Sequence, residues 1–281
     1  LVDFEIGISN NDLNLFSSQN DNDNNGLAGK INAKQRILTK KWEIDAFANF
    51  QLVQKDFRTI ERLYTIEFNR DWNITSLEGN QSYLVSGLNF NLPQKGALTY
   101  QYENLNFSDN FSGNRHTING NFKLKNWTIN NLSSLMKSDG TTANSDFIRH
   151  QTQAKFHFNK NWIGSSVRLE DNKEKLKTTN SYSALSQKFT EFGTFIGRGD
   201  STKVFVEVGY LQRANDSLQN GFLQRVNHSQ SYYMKSKLIQ NEKSDLSVYI
   251  NYRNLKYEDQ SIADEPSLNS RILYNDQFFG Q

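Results

Sequence analysis

The sequence predicts an all-β protein, an antiparallel up-and-down meander of about sixteen strands. This prediction starts from residues 117–135, where side-chain parity can be checked against a defined hairpin. Apolar or small side chains lie at even positions before Lys125 and at odd positions after Asn126. If these two residues form the turn, Leu124 opposes Trp127, and the switch in parity puts the apolar side chains of both strands on one face.

Residues 27–52 show the same pattern around a turn at Lys40 and Lys41. The opposed pairs are Ile37 with Ile44, Ala33 with Ala48, Ile31 with Phe50, and Gly29 with Leu52. Two independent hairpins therefore close in register, as an apolar face with a period of two requires.

Two further hairpins are predicted in the same way, at residues 62–74 and 147–167. Their opposed pairs are Phe68 with Trp72, across a turn at residues 69–71, and Phe158 with Ile163, across Lys160 and Asn161.

The composition fits strands that have one apolar and one polar face. Hydrophobic residues make up 36% of the 281 residues and mean hydropathy is -0.73, yet aromatic residues reach 13%. Proline occurs only at positions 93 and 266, which allows long ladders. The absence of cysteine excludes disulfides, zinc-thiolate sites and cysteine nucleophiles. A net charge of +2 without a basic block gives no reason to expect a nucleic-acid partner.

Short and long connections alternate along the chain. Tight turns are predicted near residues 40, 70, 94, 125, 160, 200 and 243, and longer polar loops near 78, 109, 141, 175, 218 and 261. This alternation is typical of outer-membrane β-barrels, which have short periplasmic turns and longer outside loops. No apolar run approaches the roughly 18 residues of a spanning helix. We therefore expect a single domain over residues 1–281, an outer-membrane β-barrel or part of a larger one, located in the bacterial outer membrane with its lipid as partner.

All four tryptophans follow directly after a predicted tight turn, namely Trp42, Trp72, Trp127 and Trp162. An indole ring at this height can lie in the acyl boundary with its N–H among the headgroups. The four positions therefore predict an aromatic girdle. Charged residues on the opposite strand face, such as Lys30, Lys34 and Arg36, would then line a water-filled lumen.

A soluble cell-surface sheet is the alternative interpretation. Its apolar face would pack on a second sheet, and its tyrosines would suit binding of carbohydrate or adhesion. The barrel is favoured because a two-sheet core of this size would show continuous apolar strands and more turn prolines. We expect the barrel to serve transport, assembly or anchoring, with other envelope proteins as further partners.

One segment resembles a metal site. Asp21, Asp23, Asn25 and Gly26 match the first half of a calcium-binding loop, in which alternating oxygens surround the ion. The bidentate acid is missing, because position 32 is Asn32. The pattern favours a solvated loop over a calcium site, and no other cofactor is expected.

The sequence offers no catalytic motif. Neither a nucleophile elbow nor a phosphate-binding loop occurs, and accidental Ser/His/Asp combinations are common in a chain of this length. We therefore expect a non-catalytic protein.

Three segments resemble blocks of large outer-membrane and surface proteins of Bacteroidota. They are ISNNDLNLFSSQNDNDNNGLAG (8–29), DFRTIERLYTIEFNRDWN (56–73) and SLNSRILYNDQFF (267–279). The Asn- and Lys-rich, cysteine-free composition is similar to that of flavobacterial envelope proteins. The resemblance implies that these residues belong to a longer polypeptide, and it brings no known catalytic residues.

Overall fold

The computed structural model describes residues 1–12, 24–38, 41–60, 63–74, 78–200, 203–241 and 243–276. Its strands are β1 (Val2–Asn10), β2 (Asn25–Leu38), β3 (Glu43–Val53), β4 (Gln81–Leu92), β5 (Gly96–Phe107), β6 (Phe111–Leu124), β7 (Trp127–Gly140), β8 (Ala143–Phe158), β9 (Asn161–Leu176), β10 (Gln187–Gly199), β11 (Phe205–Gln219), β12 (Phe222–Gln240), β13 (Ser244–Tyr257) and β14 (Glu265–Asp276). One short helix, α1 (Phe68–Trp72), lies between β3 and β4.

These fourteen strands form one sheet whose order follows the chain from β1 to β14. The predicted antiparallel meander is therefore confirmed, and the described residues contain fourteen strands where about sixteen were expected. In the described part of the chain no helix is long and apolar enough to cross a membrane.

The predicted register of the β2–β3 hairpin is confirmed. All four opposed pairs occur, including Ile37 with Ile44 and Gly29 with Leu52. Of the predicted turn residues, Lys40 lies outside the described residues. The β6–β7 turn also lies where parity places it, at Lys125 and Asn126, and Lys125 has a φ of 52°.

The hairpin predicted at residues 62–74 is wrong, and α1 occupies its place. Phe68 and Trp72 are four residues apart, so a helical turn brings both onto one face, where they are buried. Asn73 ends the helix in the left-handed conformation, with a φ of 51°. Asparagine tolerates this conformation better than most residues, so it is a suitable helix terminator.

The β8–β9 turn lies one residue earlier than predicted. It consists of Asn159 and Lys160, not Lys160 and Asn161, and Asn159 has a φ of 55°. A tight hairpin turn needs a residue in the left-handed conformation, and asparagine adopts that conformation at little cost. This explains why the turn begins at Asn159.

The long loops predicted near residues 109, 141 and 218 are also wrong. The strands continue through these polar segments and meet at short turns, over residues 108–110, 141–142 and 220–221. Ladder hydrogen bonds join backbone groups, so polar side chains do not prevent pairing where both sheet faces are wet. Longer connections that consist wholly of described residues are 177–186 and 258–264.

The chain divides into two compact units. The first comprises residues 1–119, 133–148 and 173–183, and the second residues 120–132, 149–172 and 184–281. The first unit contains an apolar cluster formed by α1 and the strands beneath it, comprising Phe68, Trp72, Ile74, Leu105, Phe107, Phe111, Met136 and Phe147. In the second unit the buried side chains include the apolar Trp162, Phe189 and Phe195 and also the charged Glu170 and Glu207.

Candidate membrane-facing surface and polar strand face

In the first unit, one face of β1–β4 is apolar and exposed. On this face Phe4 pairs with Ile31 across β1 and β2, Ile31 pairs with Phe50, and Phe50 pairs with Leu84. Phe4 is 77% exposed and Ile31 is 51% exposed, so the described residues do not cover this face. We call this face, with its counterpart in the second unit, the apolar face.

The apolar face of the second unit is built in the same way. Strand register aligns Ile196 with Val208, Val208 with Met234 and Met234 with Ile250. Val208 is 45% exposed. The stripe continues onto β14, where Ile272 is 70% exposed.

A row of tyrosines marks one border of this apolar face. Tyr210 opposes Tyr232, and Tyr232 opposes Tyr252, with the first two ring centroids 5.2 Å apart. The next residues on the same face are polar, since Gln212 opposes Gln230. Tyrosine has an apolar ring and a polar hydroxyl, which suits the boundary between hydrocarbon and water. The sequence did not reveal the row because it depends on the register of three strands.

The tryptophans do not form one girdle of four. Trp42 and Trp127 are 42% and 47% exposed, as a lipid-facing position requires. Trp72 is fully buried within the first unit, so it has no access to lipid. Trp162 is 3% exposed, because it lies on the strand face opposite to Ile163. The girdle prediction is therefore wrong for Trp72 and Trp162.

The opposite face of the strands, the polar face, is charged. In the second unit this face carries Glu207, which is 2% exposed. Its carboxylate accepts hydrogen bonds from Trp162 Nε1 at 2.7 Å and the Tyr233 hydroxyl at 3.1 Å. Lys235 Nζ lies 2.9 Å from the same carboxylate. Three donors, one from β9 and two from β12, thus hold this buried charge, as a buried carboxylate requires.

Two arginines share an aromatic ring on this face of the second unit. The guanidinium carbons of Arg168 and Arg213 lie 5.0 and 4.0 Å from the centroid of Phe189. The register places both arginines opposite Glu191, one on each side of β10. The polar face therefore presents fixed positive groups over an apolar ring.

In the first unit, the polar face carries α1. Arg115 donates two hydrogen bonds to Glu103, at 2.5 and 2.8 Å, and Tyr83 donates a third. The Arg115 guanidinium carbon lies 4.8 Å from the centroid of the Trp72 ring. Asp71 of α1 is 3.9 Å from Arg115. The helix is thus held by apolar packing and by one charged group of the sheet.

Nearer the tight turns, charged side chains pair across β2 and β3. Asp45 lies 2.9 Å from Arg36 and 3.4 Å from Lys34. The predicted charged face is therefore present, and its members pair with each other.

Of the candidate calcium ligands, Asp21 and Asp23 lie outside the described residues. Asn25 begins β2, and its Oδ1 accepts a hydrogen bond from Asn10 Nδ2 at 2.9 Å. Within the described ranges, His, Cys, Asp and Glu side chains form no group of three or more suited to a metal ion.

No protein-family model matches the sequence, and no curated protein matches it. Among solved structures the fold is similar to OmpT, an outer membrane protein of Vibrio cholerae, at 7% identity and a TM-score of 0.42, covering 92% of this chain and 85% of that one. OccK5 (OpdH) of Pseudomonas aeruginosa is similar at 10% identity and a TM-score of 0.42, covering 97% and 87%. OccK8 (OprE) of the same species is similar at 11% identity and a TM-score of 0.38, covering 97% and 77%. Likeness at this level adds nothing to the assignment of a function.

Proposed function

We propose that this chain forms the wall of an outer-membrane β-barrel, or part of a larger one, and serves transport, assembly or anchoring without catalysing a reaction. The observation that carries the proposal is the apolar face, exposed in each unit and bordered by tyrosines in the second. Burying one Leu, Ile or Phe side chain stabilises a protein by about 1.5–3 kcal/mol. A soluble protein rarely leaves so continuous an apolar surface in water.

The polar face supports the same proposal. Along strands such as β1 and β2, charged and polar side chains alternate with apolar ones, which is the pattern of a sheet with lipid on one side and water on the other. Backbone groups in a bilayer must all be hydrogen-bonded, so only a closed sheet can cross it. The long meander of antiparallel neighbours meets this demand between every pair of consecutive strands.

Membrane fractionation tests the location. The full chain, expressed with an export signal in a Gram-negative host, should remain in the outer membrane after carbonate and urea washes. After extraction, its mobility on SDS gels should change on heating, because folded barrels resist SDS at room temperature. Recovery as a soluble, folded protein without detergent would overturn the proposal and favour a soluble surface module.

Conductance separates transport from anchoring. Purified protein in planar lipid bilayers should give stable current steps if water fills the space along the polar face. A folded, membrane-inserted protein that gives no current would restrict the role to assembly or anchoring.

A further inference from the structure

Two arginines on the polar face of the second unit lean onto an aromatic ring rather than onto the carboxylate between them. Arg168 of β9 and Arg213 of β11 are both opposite Glu191 of β10. Their guanidinium carbons lie 5.0 and 4.0 Å from the ring centroid of Phe189, the next residue of β10 on the same face. Among the described residues, neither arginine forms an ion pair with Glu191 or with another carboxylate.

Other charged side chains of the same unit are already paired. Arg149 Nε lies 3.8 Å from Glu170, and Arg225 Nε lies 2.5 Å from Asp216. Glu170 is opposite Phe189 in the register, so the acid on that side of the ring is engaged. The two arginines over the ring therefore carry more positive charge than Glu191 can balance.

Arg213 is held in place by its neighbours. It is half-buried, and its Nε donates a hydrogen bond of 2.9 Å to Asn215 Oδ1. Asn215 Nδ2 donates in turn to Asn227 Oδ1 at 2.6 Å. The Phe189 ring, which is 9% exposed, supports the guanidinium group. The terminal nitrogens of Arg213 can therefore donate to a ligand as a fork with little rearrangement.

Arg168 approaches the same ring from the other side of β10. Its side chain is exposed, so a solute in the adjoining water can reach it. Because both guanidinium groups lie against one ring, a single anion at the ring can accept hydrogen bonds from both.

We propose that Arg168 and Arg213 together bind an oxyanion group, a carboxylate or a phosphate, of a solute on the polar face. The planar fork of a guanidinium group matches the paired oxygens of both groups. The inference rests on the proposed function and deepens it, because arginines on the wall of a water-filled pore select for anions. If the arginines served only to cover Phe189, no anion would bind saturably.

Calorimetry with matched probes tests the charge requirement. The folded full chain in a nonionic detergent is titrated with malonate, with inorganic phosphate, and with malonamide, in which neutral amides replace both carboxylates. Malonate or phosphate should bind saturably at one site, about tenfold or more tightly than malonamide, and potassium chloride should weaken this binding. The tighter anion shows whether the site prefers a carboxylate or a phosphate. No saturable binding of either anion, or equal affinity for malonamide, overturns the proposal.

Three variants locate the site. Arg213→Gln should weaken binding of the tighter anion about tenfold or more, because it removes a charged fork. Glu191→Gln should strengthen binding about twofold or more, because it removes a competing carboxylate, and misfolding does not produce such a gain. Arg198→Gln is the matched control, since Arg198 is exposed on the opposite face of β10. Equal losses in Arg213→Gln and Arg198→Gln, or no gain in Glu191→Gln, overturn the site.

Current measurements separate this inference from the proposed function. In planar bilayers the tighter anion should reduce the potassium chloride current of the unmodified chain more than that of Arg213→Gln. Anion binding in detergent without any current would refute transport and support the site. Current without anion binding would refute the site and support the barrel.

Discussion

Arg115 is the residue whose loss should harm the first unit most clearly. It donates two hydrogen bonds to Glu103, whose side chain is 3% exposed, and it lies over the Trp72 ring. Arg115→Gln leaves this carboxylate buried without its counter-charge, which typically costs about 3–5 kcal/mol. Urea unfolding in detergent should show the loss. Arg36→Gln, which removes an exposed partner of Asp45, is the control and should change little. Equal losses would contradict the role of burial.

Gly197 makes room for Trp162. A Cβ at this position would overlap the Trp162 ring, which packs against the backbone of β10. Gly197→Ala should therefore displace the indole from Glu207, lower the free energy of unfolding by about 1–3 kcal/mol and shift the tryptophan emission. Gly29→Ala is the matched control, because its Cβ would meet only Glu5 O, 3.8 Å away. An unaltered emission spectrum in Gly197→Ala would contradict the packing.

At the scale of a single strand, two substitutions in β11 test where the border between hydrocarbon and water lies. Val208 and Gln212 lie on the same face of β11, on opposite sides of Tyr210, and both are exposed. Val208→Arg places a charge within the apolar face and should cost about 2–4 kcal/mol if that face lies in hydrocarbon, whereas Gln212→Arg should cost about 0–1 kcal/mol. Refolding equilibria in lipid vesicles measure both. Near-neutral effects of both substitutions would favour a soluble sheet.

The segment that carries α1 should respond to alkaline pH. Burial raises the pKa of Tyr64 above its ordinary value of 10.0. The folded state therefore favours the neutral phenol, and the stabilisation is present below pH 10 and lost as the pH rises through the higher, folded-state pKa. Urea unfolding at pH 9 and pH 11 should show a smaller alkaline loss in Tyr64→Phe than in the unmodified chain. Equal alkaline losses of stability in Tyr64→Phe and the unmodified chain would show that Tyr64 is not the source of the alkaline sensitivity.

The alternation of apolar and polar residues was sufficient to predict strand pairing where the paired residues flank a single turn. The pairing of Ile37 with Ile44 follows from alternation on either side of one turn. The same alternation gave a wrong prediction for α1, because Tyr64, Ile66 and Phe68 are spaced two residues apart, as the apolar residues of a strand are. The helix is favoured because it lets Phe68 and Trp72 pack in one cluster with Leu105, Met136 and Phe147, which are distant in sequence.

For Trp162 the signal was present in the sequence. It has the opposite parity to Ile163, whereas Trp127 shares the parity of Ile129. The observation that each tryptophan follows a predicted turn took no account of which strand face the ring occupies. The carboxylate clusters at Glu103 and Glu207, and the proposed anion site, depend on the register of separate strands, so no local window contains them.

For the whole molecule, the two ends of the strand order bear on the barrel proposal. β1 pairs with β2, and β14 pairs with β13. An unpaired backbone group in hydrocarbon costs several kcal/mol, so each of these strands needs a partner on its other edge in the membrane. Hydrogen exchange in micelles should therefore show amides of β1 and β14 protected as well as those of β11. Rapid exchange at alternate residues of either strand would contradict a barrel closed by these strands alone.

The turn that joins β11 to β12 offers a place to attach a reporter. Asn220 and Gly221 adopt left-handed conformations, with φ of 52° and 85°, and a Cβ at Gly221 would meet nothing within 4 Å. The turn lies beyond the tyrosine row, where both strands have already left the apolar face. A short epitope inserted between these two residues lengthens the turn and leaves the hydrogen bonds between β11 and β12 intact. Antibody labelling of intact cells would then show on which side of the membrane this turn lies.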